Sequence, residues 1–166
     1  MSNKPKQISA LVADPSSNMA ALVAVMLRSL GIRNVEATVD LPHTAAELSR
    51  HRHGLILIDE QLGGEACLAM IRKMRQSAAH PNRETPIIMM ASAPDARMIA
   101  AARDAGVTEF LRKPFSAEHI GLRLAAIRKV PRAFVEATDY AGPDRRRRTI
   151  SGASARRASD KPPAGD

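Results

Sequence analysis

The sequence predicts a doubly wound α/β domain with a five-stranded parallel sheet, followed by a basic C-terminal segment of different character. Three observations carry that expectation. Short apolar runs of strand length alternate five times with segments of helical spacing, the order that puts helices on both faces of a parallel sheet. Asp14, Asp59 and Lys113 fall at the ends of such runs, where sheets of this kind place their ligand chemistry. Beyond Val130 the apolar periodicity stops, and Pro, Gly, Ser, Ala and Arg take over.

The first strand is expected in ISALVA, ahead of Asp14. Met19, Leu22, Val23, Met26, Leu27 and Leu30 then recur at helical spacing, and Gly31 suits the left-handed residue that closes a helix. NVEAT offers a brief second strand. Asp40 and Pro42 read as a cap and a first turn, leading into AAELSRHRH with cations at the helix end. GLILID is a buried third strand that finishes at Asp59. A helix from about Glu65 to Arg75, the polar loop SAAHPNRET and the strand PIIMMA follow. ARMIAAARDAG gives the fourth helix and EFLR the fifth strand, and the KPF turn leads into a last helix from about Ala117 to Lys129. Residues 1–130 therefore read as one domain, and residues 131–166 as an arginine-rich tail, largely disordered without ligand.

Composition narrows the class. With 166 residues and 45% hydrophobic content, the chain can bury one core. The single cysteine, Cys67, rules out an internal disulfide framework, and no Cys/His spacing resembles a zinc site, so a reducing, cytoplasmic setting is expected. No apolar run approaches spanning length, so no membrane insertion is expected. The net charge of +8 favours anionic partners. From Pro131 onward eight Lys and Arg face five Asp and Glu, which makes domain and tail both basic. With 2% aromatic residues there are few stacking platforms for single strands, which disfavours nucleic acid. Cys67, Met89 and Met90 read as core filler, and His51, Arg52 and His53 as complements to a helix end rather than metal ligands.

Two carboxylates and a lysine converging from separate strand ends share a chemistry. An aspartate can attack an activated phosphoryl group, a second carboxylate helps hold Mg²⁺, and a lysine neutralises the phosphoryl charge. Through LVADP, LILIDE, PIIMMA and FLRKPF, residues 8–129 resemble a CheY-like response-regulator receiver. That resemblance implies the flavodoxin-like strand order 2-1-3-4-5. It also implies Asp59 as phospho-acceptor, Asp14 and Asp59 as the magnesium carboxylates, a cis Lys113–Pro114 bond, and Phe110 at the aromatic switch position. Several residues depart from the family pattern. Pro15 replaces the acid that ligates magnesium directly, and Ala91 replaces the hydroxyl residue that bonds the new phosphoryl oxygen, with Ser92 one place later. EQLGGEAC replaces the family's Pro- and Gly-bearing loop. Each change weakens the phosphoryl switch, so Asp59 is either a working acceptor or a retained scaffold carboxylate.

The segment YAGPDRRRR raises a separate question. A charge run is commonly a solvated face or a phosphate attractant. The order of residue types here adds more, since Gly142-Pro143 suits a turn and Asp144 can accept from the N1 and N2 donors of guanine. Arginine forks meet O6 and N7, neutralise phosphates and stack, as Tyr140 can. A degenerate receiver followed by Tyr-x-Gly-Pro-Asp-Arg-Arg-Arg resembles the Cle class of CheY-like proteins. The resemblance implies cyclic di-GMP as ligand, bound by Tyr140, Gly142, Pro143, Asp144, Arg145, Arg146, Arg147 and Arg148, with Arg156 and Arg157 as a second cluster. It also implies a flagellar motor switch protein as partner. The expectation is a non-enzymatic, cytoplasmic cyclic di-GMP effector, recruited to the flagellated pole, that docks on the motor switch to modulate motility or surface attachment. A stand-alone phospho-receiver using Asp59 is the alternative, and a basic-tail nucleic-acid-binding protein the third reading.

Overall fold

A computed structural model describes residues 8–146. Strands and helices alternate as Ser9–Ala13 (β1), Ser17–Ser29 (α1), Asn34–Thr38 (β2), Leu41–Arg50 (α2), Leu55–Asp59 (β3) and Glu65–Gln76 (α3). Ile87–Ala91 (β4), Ala96–Ala105 (α4), Glu109–Arg112 (β5) and Ala117–Lys129 (α5) continue the pattern. The five strands form one parallel sheet in the order β2-β1-β3-β4-β5. Strand order reverses between β1 and β3, so the crevice beyond their carboxyl ends is the natural ligand position.

Local chemistry sets the boundaries. Ser16, Asp40 and Asp95 accept from the backbone N–H of Met19, His43 and Met98 at 3.2, 2.8 and 2.7 Å, capping α1, α2 and α4. Gly106, with φ of +109°, supplies the left-handed residue that closes α4. Every residue of β3 and β4 is buried, which demands a helical layer on each face. Leu11, Ile56, Ile58 and Met89 pack with Leu48, Cys67 and Ile71 beneath α2, α3 and α4. Val12, Leu57, Met90 and Leu111 pack with Val23, Leu27 and Ile120 beneath α1 and α5. Cys67 is fully buried, and desolvation, aided by the Asp59 charge, pushes its thiol up to about 12. Among the described residues no helix is long and apolar enough to cross a membrane.

The chain after α5 differs from the expected tail. Phe134–Ala137 (β6) and Tyr140–Pro143 (β7) form an antiparallel hairpin, and β7 lies against α3 and α4. Residues 131–146 thus belong to the folded body, and Gly142-Pro143 is strand instead of turn. The hairpin docks without apolar periodicity. Tyr140 is buried, and its hydroxyl donates to the Pro143 carbonyl at 2.6 Å. Gly142 permits a close approach to the α4–β5 turn, because a Cβ there would lie 2.6 Å from the Tyr140 hydroxyl and 3.2 Å from Gly106 Cα. Charged groups hold the flanks: Arg132 donates to Glu109 at 3.0 Å, and Arg83 lies 2.9 Å from Glu136 and over the Phe134 ring. The Asp144 N–H donates to the Ala133 carbonyl at 2.8 Å and closes the open end.

Beneath the hairpin Arg75 is fully buried. Its guanidinium donates to the Gly106 carbonyl at 3.1 and 2.9 Å and to the Arg83 carbonyl at 2.5 Å. Desolvation lowers its pKa to about 10, against the attraction of Tyr140 and Glu84, so it stays charged at neutral pH.

Candidate functional site

The carboxyl ends of β1, β3 and β5 deliver Asp14, Asp59 and Lys113 to one point, as expected. Lys113 Nζ lies 2.5 Å from Asp59 Oδ2 and 3.1 Å from Asp14 Oδ2. Both carboxylates are buried, and each uses its other oxygen to accept a backbone N–H two residues on, from Ser16 and from Gln61, at 2.8 Å. The Lys113–Pro114 bond is cis, and the Lys113 N–H donates to the Ala91 carbonyl at 2.8 Å, which fixes where its side chain starts. Desolvation pulls the Lys113 pKa down, but hydrogen bonds and charge from Asp59 and Asp14 outweigh it and hold the ammonium above its ordinary value.

Ala91 is buried at the end of β4, where a hydroxyl was expected to be missing. Next to it the Ser92 N–H is occupied by the Glu60 carboxylate at 3.0 Å. Phe110 is partly buried and packs against the core beneath α4. Magnesium is the metal the receiver resemblance implies. The donor set does not fit it: Asp14 and Asp59 already share one ammonium, Pro15 supplies no acid, and among the described residues no group of three or more Asp, Glu, His or Cys is placed to hold a metal.

Arg145 and Arg146, the described part of the arginine segment, lie toward the opposite end of the sheet, since β7 packs against α3, α4 and the turn that precedes β5. Arg145 lays its guanidinium over the Tyr140 ring, 4.3 Å from the centroid, and donates to Asp104 Oδ1 at 2.6 Å. Asp144 accepts from the Arg146 N–H at 2.9 Å. Tyr140, Asp144, Arg145 and Arg146 line one cleft of ≈ 290 Å³ with Val135 and Ala137. A second cleft of ≈ 500 Å³ runs between the hairpin and the end of α5, where Asp144 and Arg146 meet Lys129 and Arg132. Burial raises the Tyr140 phenol pKa although Arg145 and Arg75 oppose it. Gly142 and Pro143 lie in β7 and shape the hairpin. Arg147, Arg148, Arg156 and Arg157 lie outside the described residues.

Asp104, Arg75, Lys129 and Arg132 escaped the sequence reading. One local signal pointed to Asp104: it sits in the last turn of α4, where an acid opposes the helix dipole and calls for a cation nearby.

The chain is similar to several known proteins. The model of the response regulator receiver domain matches residues 10–125. Protein PetR of Rhodobacter capsulatus is 31% identical over 84% of this chain, and the two-component response regulator PhoP of Pseudomonas aeruginosa is 28% identical over 66%. This chain spans 56% and 47% of those two proteins. Chemotaxis protein CheY-3 of Vibrio cholerae is 25% identical over 74% of this chain and 92% of its own length. The structure of CheY4 of Vibrio cholerae superposes with a TM-score of 0.65 at 21% identity, covering 73% of this chain and 98% of that one, a likeness of fold. With its five-stranded order, its Lys113 bonded to the buried Asp14 and Asp59, and its match to the receiver model over residues 10–125, this chain belongs to the response regulator receiver family.

Proposed function

We propose that the chain is a receiver-fold adaptor that binds cyclic di-GMP through its arginine segment and, once liganded, docks on the flagellar motor switch to modulate motility or surface attachment. It works as a binding module and not as an enzyme, in the cytoplasm, with recruitment to the flagellated pole. The likeness to a chemotaxis protein that this chain nearly spans supports an adaptor of this kind.

The observation that carries the reading is the cleft where Asp144, Arg145 and Arg146 converge beside Tyr140. A carboxylate next to guanidinium forks matches the edges of guanine, and the same cations suit its phosphates. Tyr140 contributes indirectly. Its ring is covered by Arg145, so the stacking face offered to a base is the outer face of that guanidinium.

Calorimetry with cyclic di-GMP, with GTP and duplex DNA as controls, tests the reading. Asp144→Ala and Arg146→Lys should each weaken binding by about 1.5–3 kcal/mol while leaving the domain folded. Attraction by charge alone forecasts the reverse: tighter binding by Asp144→Ala, a silent Arg146→Lys, and collapse of affinity with salt.

The cluster at Asp59 favours a second reading, a conventional phospho-receiver, because Lys113 is retained in bonding distance of the acceptor. Stoichiometric labelling of Asp59 by an acyl phosphate with Mg²⁺ would establish it. Pro15 and Ala91 lead us to expect poor labelling.

A further inference from the structure

We infer that Asp104 is a built-in competitor for the ligand: it holds Arg145 in place when the cleft is empty, and an anionic ligand takes Arg145 from it, which couples occupancy of the cleft to α4. The inference rests on the cyclic di-GMP reading for the identity of the ligand. Its geometric basis is separate. Arg145 is the first arginine of the segment, and its guanidinium is already committed on two sides, to the Tyr140 ring beneath it and to Asp104 at 2.6 Å.

The two contacts differ in permanence. Tyr140 is fixed by burial and by its bond to the Pro143 carbonyl, so the stacked platform stays where it is. The carboxylate bond is exposed, with Asp104 and Arg145 side chains 58% and 46% accessible, and an ion pair in water is weak and readily traded. A guanine edge or a phosphate offers the same guanidinium an acceptor of the same kind, without moving β7. Asp104 and ligand therefore ask for one donor group, and one must yield. Arg145 is the cation paired with Asp104 among the described residues, and Asp104 lies in the helix turn where the dipole disfavours an acid. Releasing Arg145 thus leaves Asp104 unbalanced at the end of α4, and the ligand reports itself there.

The test combines two measurements on the full chain, for wild type, Asp104→Asn and Asp139→Asn. Asp139 lines the ≈ 220 Å³ cleft shared by Asp104 and Arg145, so its variant removes an equal charge without touching the pair. Asp104→Asn should bind cyclic di-GMP about two- to five-fold more tightly in calorimetry, with Asp139→Asn close to wild type. Without ligand, Asp104→Asn should also exchange its Asp144 amide hydrogen faster. Unchanged or weaker binding by Asp104→Asn overturns the competitor, and so does equal tightening by Asp139→Asn, which would reduce the effect to net charge. If the wild type takes up no cyclic di-GMP, the ligand assignment fails, and exchange decides about the pair: faster exchange in Asp104→Asn sustains it and unchanged exchange ends it.

Discussion

Lys113 and Arg145 each sit between two partners at opposite ends of one sheet, and the contrast between them is one of exchangeability. Lys113 is bonded to two buried carboxylates, each fastened a second time to backbone. Arg145 rests on a ring and one exposed carboxylate. In that cluster the two buried carboxylates depend on the lysine, because an unpaired carboxylate there is shut away from water. At the wet end a pair can be broken at little cost. The same chain thus keeps one charge cluster suited to stability and another suited to trade.

The largest effect should come from Lys113→Ala, which leaves Asp14 and Asp59 buried without their cation and should destabilise the domain by about 3–5 kcal/mol in chemical denaturation. Its pH dependence sharpens the point. The folded-state pKa of Lys113 is raised above 10.5, so its stabilisation is complete below that value and is lost as pH climbs through the folded pKa. Wild type should lose stability on that alkaline limb, and Lys113→Ala should show less of the loss. Equal alkaline slopes would mean that the lysine is not the centre of the cluster.

Gly142→Ala should come next. The added methyl collides with the Tyr140 hydroxyl and approaches Gly106, so a loss of about 1–3 kcal/mol is expected, with faster exchange of the Asp144 amide. A neutral result in thermal melting would show that the hairpin is not closely seated. The smallest effect on stability is expected from Pro15→Asp, within about 0.5 kcal/mol because residue 15 is exposed. That variant should nonetheless bind Mg²⁺ more tightly in titration, since it restores an acid beside Asp14.

The five βα units could be read from the chain because β1, β3 and β4 are largely apolar runs, the helices carry their own spacing, and α1, α2 and α4 have side-chain caps. Asp40 and Gly31 marked ends that the backbone then used. The strand-end cluster was legible for the same reason, since strand ends define where a side chain emerges. The hairpin was not. Its strands are four residues long, and β7 contains the Gly142-Pro143 pair that elsewhere signals a turn. What seats it is a glycine-to-glycine approach and a set of guanidinium contacts, and neither leaves a period in sequence. Arg75 was hidden similarly: it looks like an ordinary cation at a helix end, yet Gly106 leaves the space in which it lies buried.

Cys67 gives the molecule a practical property. A thiol that is fully enclosed and pushed up to about 12 carries almost no thiolate at neutral pH, so maleimide and iodoacetamide reagents should pass it by in the folded chain. No other cysteine is present. A fluorophore can therefore be attached at a single engineered cysteine in place of Asp139, beside the arginine segment, on an otherwise native background, and the events at that end of the molecule followed by light.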